Sequence, residues 1–280
     1  MRADIPTDTG SASSATALAV AVLAAARKAG RPCPPVRGLL PDGDLDAAYA
    51  VQSSWVADQV AGGARVVGRK VGLTNPAVQE QLGVEQPDFG VLLDSMECPP
   101  GIPVDIGRTL QPKIEAEIAF VLGSDLTDTV IGPAEVAAAT AYVVAGLEIV
   151  DSRIAGWDIT IVDTVADNAS SGLFALGADR QSLDGLDLPG CVMTMRRGGE
   201  VVSRGTGAAC LGDPLAAVAW LATTARDRGS PLRAGDIVLS GALGPMVPVA
   251  PGDSFRAEIT GVGEVAAAFT GVPGGPGGPS

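Results

Sequence analysis

The chain has 280 residues, 46% hydrophobic and 18% charged, with 32 acidic against 19 basic side chains and a net charge of −13. This is the composition of an ordinary soluble globular protein, long enough for one large domain or two small ones with ample core. The acidic balance argues against nucleic acid or an anionic membrane as a partner. The absence of histidine removes Ser-His-Asp triads, Cys-His pairs and imidazole bases.

Residues 1–11 are small, polar and terminal, and are expected to be disordered. Ala15 to Ala26 is almost continuously apolar yet too short to span a bilayer. Asp4 and Asp8 ahead of it contradict the positive region of a signal peptide. Ser11, Ser13 and Ser14 offer N-caps, while Arg27, Lys28 and Gly30 suit a C-terminus, so a packed helix in a cytoplasmic protein is expected. A second helix is predicted from Asp44 to Ala61, completing a helical N-terminal region over 12–65.

From Val66 the texture changes to short β-type runs broken by Gly and Pro, such as Arg65 to Leu73 and Phe89 to Leu93. A helix is expected over Gly132 to Tyr142, and another from Asp213-Pro214, with Asp as N-cap and Pro at the first position, to about Arg226. Ile237 to Leu239, Met246 to Val249, Ser254 to Thr260 and Glu264 to Phe269 read as strands. Gly271 to Ser280 is a Gly/Pro tail expected to be flexible. No Gly-x-Gly-x-x-Gly follows a strand, so residues 66–270 read as a mixed β domain and not a dinucleotide fold. Cys33, Cys98, Cys191 and Cys210 are far apart and read as reduced, space-filling thiols.

Chemistry concentrates in a few places. Ile114 to Leu122 alternates as a strand, placing Glu115 and Glu117 on one face, and Glu148 lies inside the apolar run Tyr142 to Val150. A Glu-x-Glu pair also describes the solvated face of an amphipathic strand. Carboxylates in apolar β segments, however, are costly unless compensated, and a hard divalent cation compensates them well. With no imidazole or paired thiols the ligands would be all oxygen, favouring Mg²⁺ or Mn²⁺ over zinc.

Lys70 sits in the β-type run Val66 to Leu73, either snorkelling from an edge or facing an interior. There, burial would lower its pKa and let it bind a carboxylate or relay a proton. Asp88 occupies Gln86-Pro87-Asp88-Phe89-Gly90, where a turn role through its own backbone is the ordinary reading. Asp163 to Gly172 is dense in small and polar groups, as are many loops, and could present hydroxyls and N–H groups to an oxyanion.

In order along the chain, Lys70-Val-Gly-Leu-Thr74, Gln81 to Gly90, Gln111 to Phe120, Leu147-Glu-Ile-Val-Asp-Ser-Arg153 and Asp163 to Gly172 resemble one family. It is that of the 2-keto-4-pentenoate hydratases and 4-oxalocrotonate decarboxylases, within the fumarylacetoacetate hydrolase superfamily. The resemblance runs from about Ala48 to Phe269. It implies an α+β fold, a mixed β-roll of the fumarylacetoacetate hydrolase type with a small helical N-terminal region.

The resemblance further implies Mg²⁺ or Mn²⁺ on Glu115, Glu117 and Glu148, an active-site lysine at Lys70, an acid/base aspartate at Asp88 and a substrate-contacting serine at Ser170, with Ser171 as the alternative hydroxyl. The hydrolytic branch of the superfamily uses a histidine, and its absence here agrees with the lyase branch. The implied activity is metal-dependent hydration of 2-hydroxypenta-2,4-dienoate to 4-hydroxy-2-oxopentanoate through a stabilised enolate. Alternatives are 4-oxalocrotonate (2-oxo-3-hexenedioate) decarboxylation, a biosynthetic relative acting on a larger 2-oxo or β-dicarbonyl substrate, and a non-catalytic scaffold. The expected partners are a small 2-oxo acid, other copies in a homo-oligomer, and a sequential pathway enzyme.

Overall fold

The computed structural model describes residues 9–75, 79, 84 and 86–271. The expected disorder of residues 1–8 and flexibility of 272–280 lie outside the described residues, as do Gln81 to Gly83 and Glu85. Helix α1 (Thr9–Ala29) begins inside the stretch expected to be disordered, so Thr9 to Ser11 are helical. It lies against α2 (Leu45–Ala61), burying Ala19, Val20, Leu23 and Ala26. The Asp44 side chain accepts the Ala47 N–H at 2.9 Å and caps α2.

The larger sheet runs in the order β2 (Asp88–Leu93), β1 (Val66–Gly72), β8 (Ile237–Ala242), β3 (Pro112–Leu122), β4 (Thr140–Asp151), β5 (Ser171–Leu176), with β9 (Val247–Pro248) paired to β3. Among the described strand pairs of this sheet, only β1/β8 is parallel. A second, antiparallel sheet has the order β11 (Gly263–Ala268), β10 (Ser254–Ile259), β6 (Val192–Arg197), β7 (Glu200–Thr206). It packs on β4 and β5, and its strand β10 alternates buried Phe255, Ala257 and Ile259 with exposed residues. The β6–β7 turn places Gly198 and Gly199 at φ 54° and 96°, the left-handed pair that a two-residue hairpin requires.

Strands β3 and β4 occupy the centre and are covered on both faces, which explains their near-continuous apolar composition. The expected helix over Gly132 to Tyr142 is shorter. Helix α3 covers Pro133–Ala139, with Glu135 accepting the Gly132 N–H at 2.8 Å, and Thr140 already opens β4. Thr140, Tyr142, Val143 and Val144 are β-branched or aromatic and pair along β3, and that pairing overrides the helical spacing. Helix α4 covers Ile161–Ala166, so the segment read as a loop from Asp163 is helical at its start. Helix α5 (Pro214–Asp227) follows its cap Asp213 as expected and packs on α3 and β8.

Strands β1 and β8 approach so closely that a Cβ on Gly68 would lie 1.8 Å from the Ile237 carbonyl oxygen. Gly68→Ala is therefore expected to destabilise the protein by about 1–3 kcal/mol. Gly38→Ala, at a position where a Cβ meets nothing within 4 Å, should leave stability nearly unchanged. Denaturant midpoints of the two variants check this, and equal midpoints would contradict the close approach.

Candidate active site and metal centre

The β3/β4 register sets Glu115 directly opposite Glu148, and the period of two brings Glu117 to the same face. One oxygen from each of the three carboxylates lies within 4.8 Å of the others. Glu117 and Glu148 are buried, and Glu115 is the most open of the three. The Gly241 N–H donates to Glu117 Oε2 at 2.8 Å and fixes that carboxylate against β8. Gly241 has φ +113°, and a Cβ there would strike Thr74 Oγ1 at 2.4 Å, so the donor position requires glycine.

Three buried carboxylates repel one another. Burial, then Glu148, pushes Glu115 up to about 8. Burial, with Glu148 and Glu115, raises Glu117 well above the carboxylate range. Burial also raises Glu148, against the pull of Lys70. Glu117 Oε1 and Glu148 Oε2 have no hydrogen-bond partner, and Glu148 Oε1 faces the Lys70 ammonium. Orphaned, converging, all-oxygen donors fit a hard divalent cation, whose charge would replace the protons that burial otherwise imposes.

Lys70, on β1, is buried, with Nζ 3.2 Å from Glu148 Oε1. Burial alone would depress its pKa as expected from the sequence. Glu148, Asp88, Glu115 and Glu117 outweigh that effect and raise it, so the ammonium stays charged. Asp88 is not a turn residue. It opens β2 opposite Gly72, fully buried, and neither of its oxygens has a hydrogen-bond partner. Burial, partly offset by Lys70, raises its pKa and favours the protonated acid. A Cβ on Gly72 would lie 2.1 Å from Asp88 Oδ1 and 3.4 Å from Lys70 Nζ, so the bare backbone at Gly72 lets acid and ammonium flank one point.

Ser170 reaches the cavity through an unusual backbone. Asn168, Ala169 and Ser170 have successive φ values of 55°, 51° and 52°, each left-handed at a cost of roughly 1–2 kcal/mol. Asn168 offsets this by pairing with β2 like a strand, Oδ1 accepting the Val91 N–H at 2.8 Å and Nδ2 donating to the Val91 carbonyl at 2.9 Å. Below it Arg153 and Asp167 form a buried ion pair, and Arg153 Nη1 also donates to the Ser171 carbonyl at 2.7 Å. Ser170 Oγ stands 3.4 Å from Thr164 Oγ1 and faces the cavity. The Ser171 hydroxyl turns away against Gly90, which separates the two serines left as alternatives by the sequence. Asp163 serves the scaffold, accepting the Val36 and Arg37 N–H groups at 2.9 and 2.8 Å.

These groups line a cavity of about 340 Å³ that brings together Lys70, Asp88, Glu115 and Ser170. Its remaining wall includes Thr164, from the stretch singled out in the sequence, and Lys113, Trp157, Ile159 and Met246, which the sequence reading missed. Lys113 Nζ sits 4.1 Å from the Trp157 ring centroid. The alternation that exposed Glu115 and Glu117 extends back one residue to Lys113, at the same strand parity, so that residue carried a readable signal. Trp157 lies in a short irregular segment with none.

The raised carboxylates dictate a pH response. Each has a folded-state pKa above its unfolded value, so the stability that it contributes is complete below about pH 4.5 and lost as pH climbs; for Glu115 the loss extends to about 8. Chelator-treated protein should therefore lose melting temperature between roughly pH 5 and 8, while the rise in Tm on adding Mg²⁺ should grow over the same interval. A metal-induced shift independent of pH would contradict the assignment of these carboxylates as cation ligands.

The fumarylacetoacetate (FAA) hydrolase C-terminal family profile matches residues 65–270. A 2-keto-4-pentenoate hydratase of Burkholderia vietnamiensis is 54% identical over 245 residues, 88% of this chain and 94% of that protein. A 2-hydroxyhexa-2,4-dienoate hydratase of Comamonas testosteroni is 42% identical over 88% of this chain and 94% of its own. The 4-oxalocrotonate decarboxylase of Pseudomonas putida G7, solved with magnesium and adipate, superposes with a TM-score of 0.87 at 37% identity, over 92% of this chain and 97% of that one. With its mixed α+β architecture and its cluster of three glutamates on paired central strands, the chain belongs to the fumarylacetoacetate hydrolase family.

Proposed function

We propose that the protein is a Mg²⁺-dependent lyase that hydrates 2-hydroxypenta-2,4-dienoate to 4-hydroxy-2-oxopentanoate. The observation that carries the reading is the juxtaposition of a charged Lys70 and the buried Asp88 across Gly72, in one cavity with Glu115 of the glutamate cluster. The 54% identity to a 2-keto-4-pentenoate hydratase supports the substrate class. The magnesium in the decarboxylase structure supports the choice of metal.

Glu115, Glu117 and Glu148 would hold the cation, which when bound stabilises negative charge on the C1 and C2 oxygens of a 2-oxo acid. Lys70 sets a second positive charge beside them. The C2 hydroxyl of the dienol gives up its proton and C5 takes one, yielding the conjugated ketone. Water then adds its oxygen at C4 and a proton arrives at C3. Asp88 is placed to exchange these protons, because its carboxyl is buried beside Lys70 and burial raises its pKa above the ordinary carboxylate value. Ser170 and Thr164 offer hydroxyls that orient the substrate or its water.

Decarboxylation of 2-oxo-3-hexenedioate is the second reading, favoured by the likeness to the decarboxylase. It requires a home for a second carboxylate. Among the described residues, the cationic side chains lining the cavity are Lys70, beside the glutamates, and Lys113, stacked on Trp157. Ile159, Val150 and Met246 add apolar lining, which suits a monoacid.

Purified protein with Mg²⁺ should consume 2-hydroxypentadienoate in the ultraviolet without releasing CO₂ from 2-oxo-3-hexenedioate; the opposite pattern would establish the decarboxylase. Asp88→Asn should lower kcat by about 10²- to 10⁴-fold while retaining Mg²⁺ binding. Glu117→Gln should abolish Mg²⁺ binding by calorimetry and turnover together, and a variant that keeps both would remove Glu117 from the ligand set. Gly72→Ala should depress kcat by displacing Asp88; full activity would show that the flanking geometry is dispensable.

A further inference from the structure

Behind the catalytic sheet lies a larger cavity, of about 740 Å³, between α2, the β1/β2 pair and the segment after α5. It shares no lining residue with the catalytic cavity. Arg69, Arg228 and Arg233 line it together with Asp236. Arg228 is paired with Asp46 at 2.9 Å and Arg233 with Asp125 at 2.7 Å, so Arg69 is the guanidinium of the three without a close carboxylate.

Arg69 is the unusual member. Its side chain is only 8% exposed, yet Nε has no hydrogen-bond partner and Nη1 reaches Asp236 only at 4.0 Å. Nη2 donates to Ser230 Oγ at 2.6 Å. Asp236 is already occupied, accepting the Arg233 N–H at 2.9 Å. A guanidinium in this state retains unused donors in a dry setting, where an oxyanion binds strongly and in two-pronged fashion. Beside it, Tyr49 and Phe89 stack at 4.7 Å between ring centroids, with Val56 and Val91 extending an apolar wall.

We propose that this rear cavity is a binding site for a small organic carboxylate with a compact apolar body, the carboxylate on Arg69 and Ser230 and the body against Phe89. Concavity and volume fall in the range of small-molecule sites, whereas a protein partner would need a broader and flatter surface.

The test is calorimetric titration of benzoate into the full-length protein in Mg²⁺ buffer. One benzoate per chain should bind, and Arg69→Met should weaken it at least about tenfold through loss of charged hydrogen bonds. Ala57→Trp, at an exposed lining position of α2, should block binding while leaving every cation in place. Met246→Trp, which closes the catalytic cavity instead, should leave it intact. No binding to the parent protein, binding unaffected by Arg69→Met and Ala57→Trp, or binding lost in Met246→Trp alone would overturn the proposal. Loss of self-association in Arg69→Met without benzoate binding would assign the guanidinium to a contact between copies and also overturn it.

Discussion

The structure is organised around mutual repulsion among carboxylates that the fold takes out of water. Pairing β3 with β4 in a register that sets Glu115 against Glu148 also carries Glu117 into the same dry space. A hydrophobic sheet tolerates such a cluster only if protons, an ammonium or a metal cation neutralise it. Without metal, protons and Lys70 do this. Lys70 thereby serves as an internal counter-ion to Glu148, 3.2 Å from its Oε1.

Much of the neighbouring architecture keeps backbone close enough for short, directed contacts. Gly72 admits Asp88, Gly90 admits the Ser171 hydroxyl, and Gly241 brings an N–H to Glu117. The three left-handed residues leading to Ser170 extend the same principle, since they hold a hydroxyl over the cavity by a conformation that ordinary side chains disfavour. The buried Arg153–Asp167 pair and the Asn168 bonds to Val91 stabilise that turn from beneath. Polar contacts outside the cavity lining thus help to hold the turn that presents Ser170.

The legible part of this design was the part written in short-range periodicity. Alternation in Ile114 to Leu122 put Glu115 and Glu117 on one face, and the apolar context of Glu148 marked it as buried. Asp213-Pro214 announced its helix through capping chemistry that operates within a few residues. The start of β4 was hidden because Thr140 follows a run of alanines with good helix propensity, and only pairing with β3 decides the matter. Asp88 read as a turn residue because its environment is made by Gly72, Lys70 and Thr164, which are distant in sequence or on other strands. The charge state of Lys70 failed for the same reason: burial could be inferred locally, the four surrounding carboxylates could not. Ser170 and Ser171 became distinguishable only through three φ angles of the same unusual sign.

The missing histidine has a consequence for how this molecule exchanges protons with solvent. In most proteins imidazoles dominate proton uptake between pH 6 and 8. Here that background does not exist, and burial has moved the cysteine thiols upward, Cys98 to about 11 and Cys210 to about 12. Glu115, which burial and Glu148 push up to about 8, is then a titrating group of the neutral range that lies inside one compartment, the cavity. A pH electrode or a pair of buffers with different ionisation heats would then follow the chemistry of that compartment without a label.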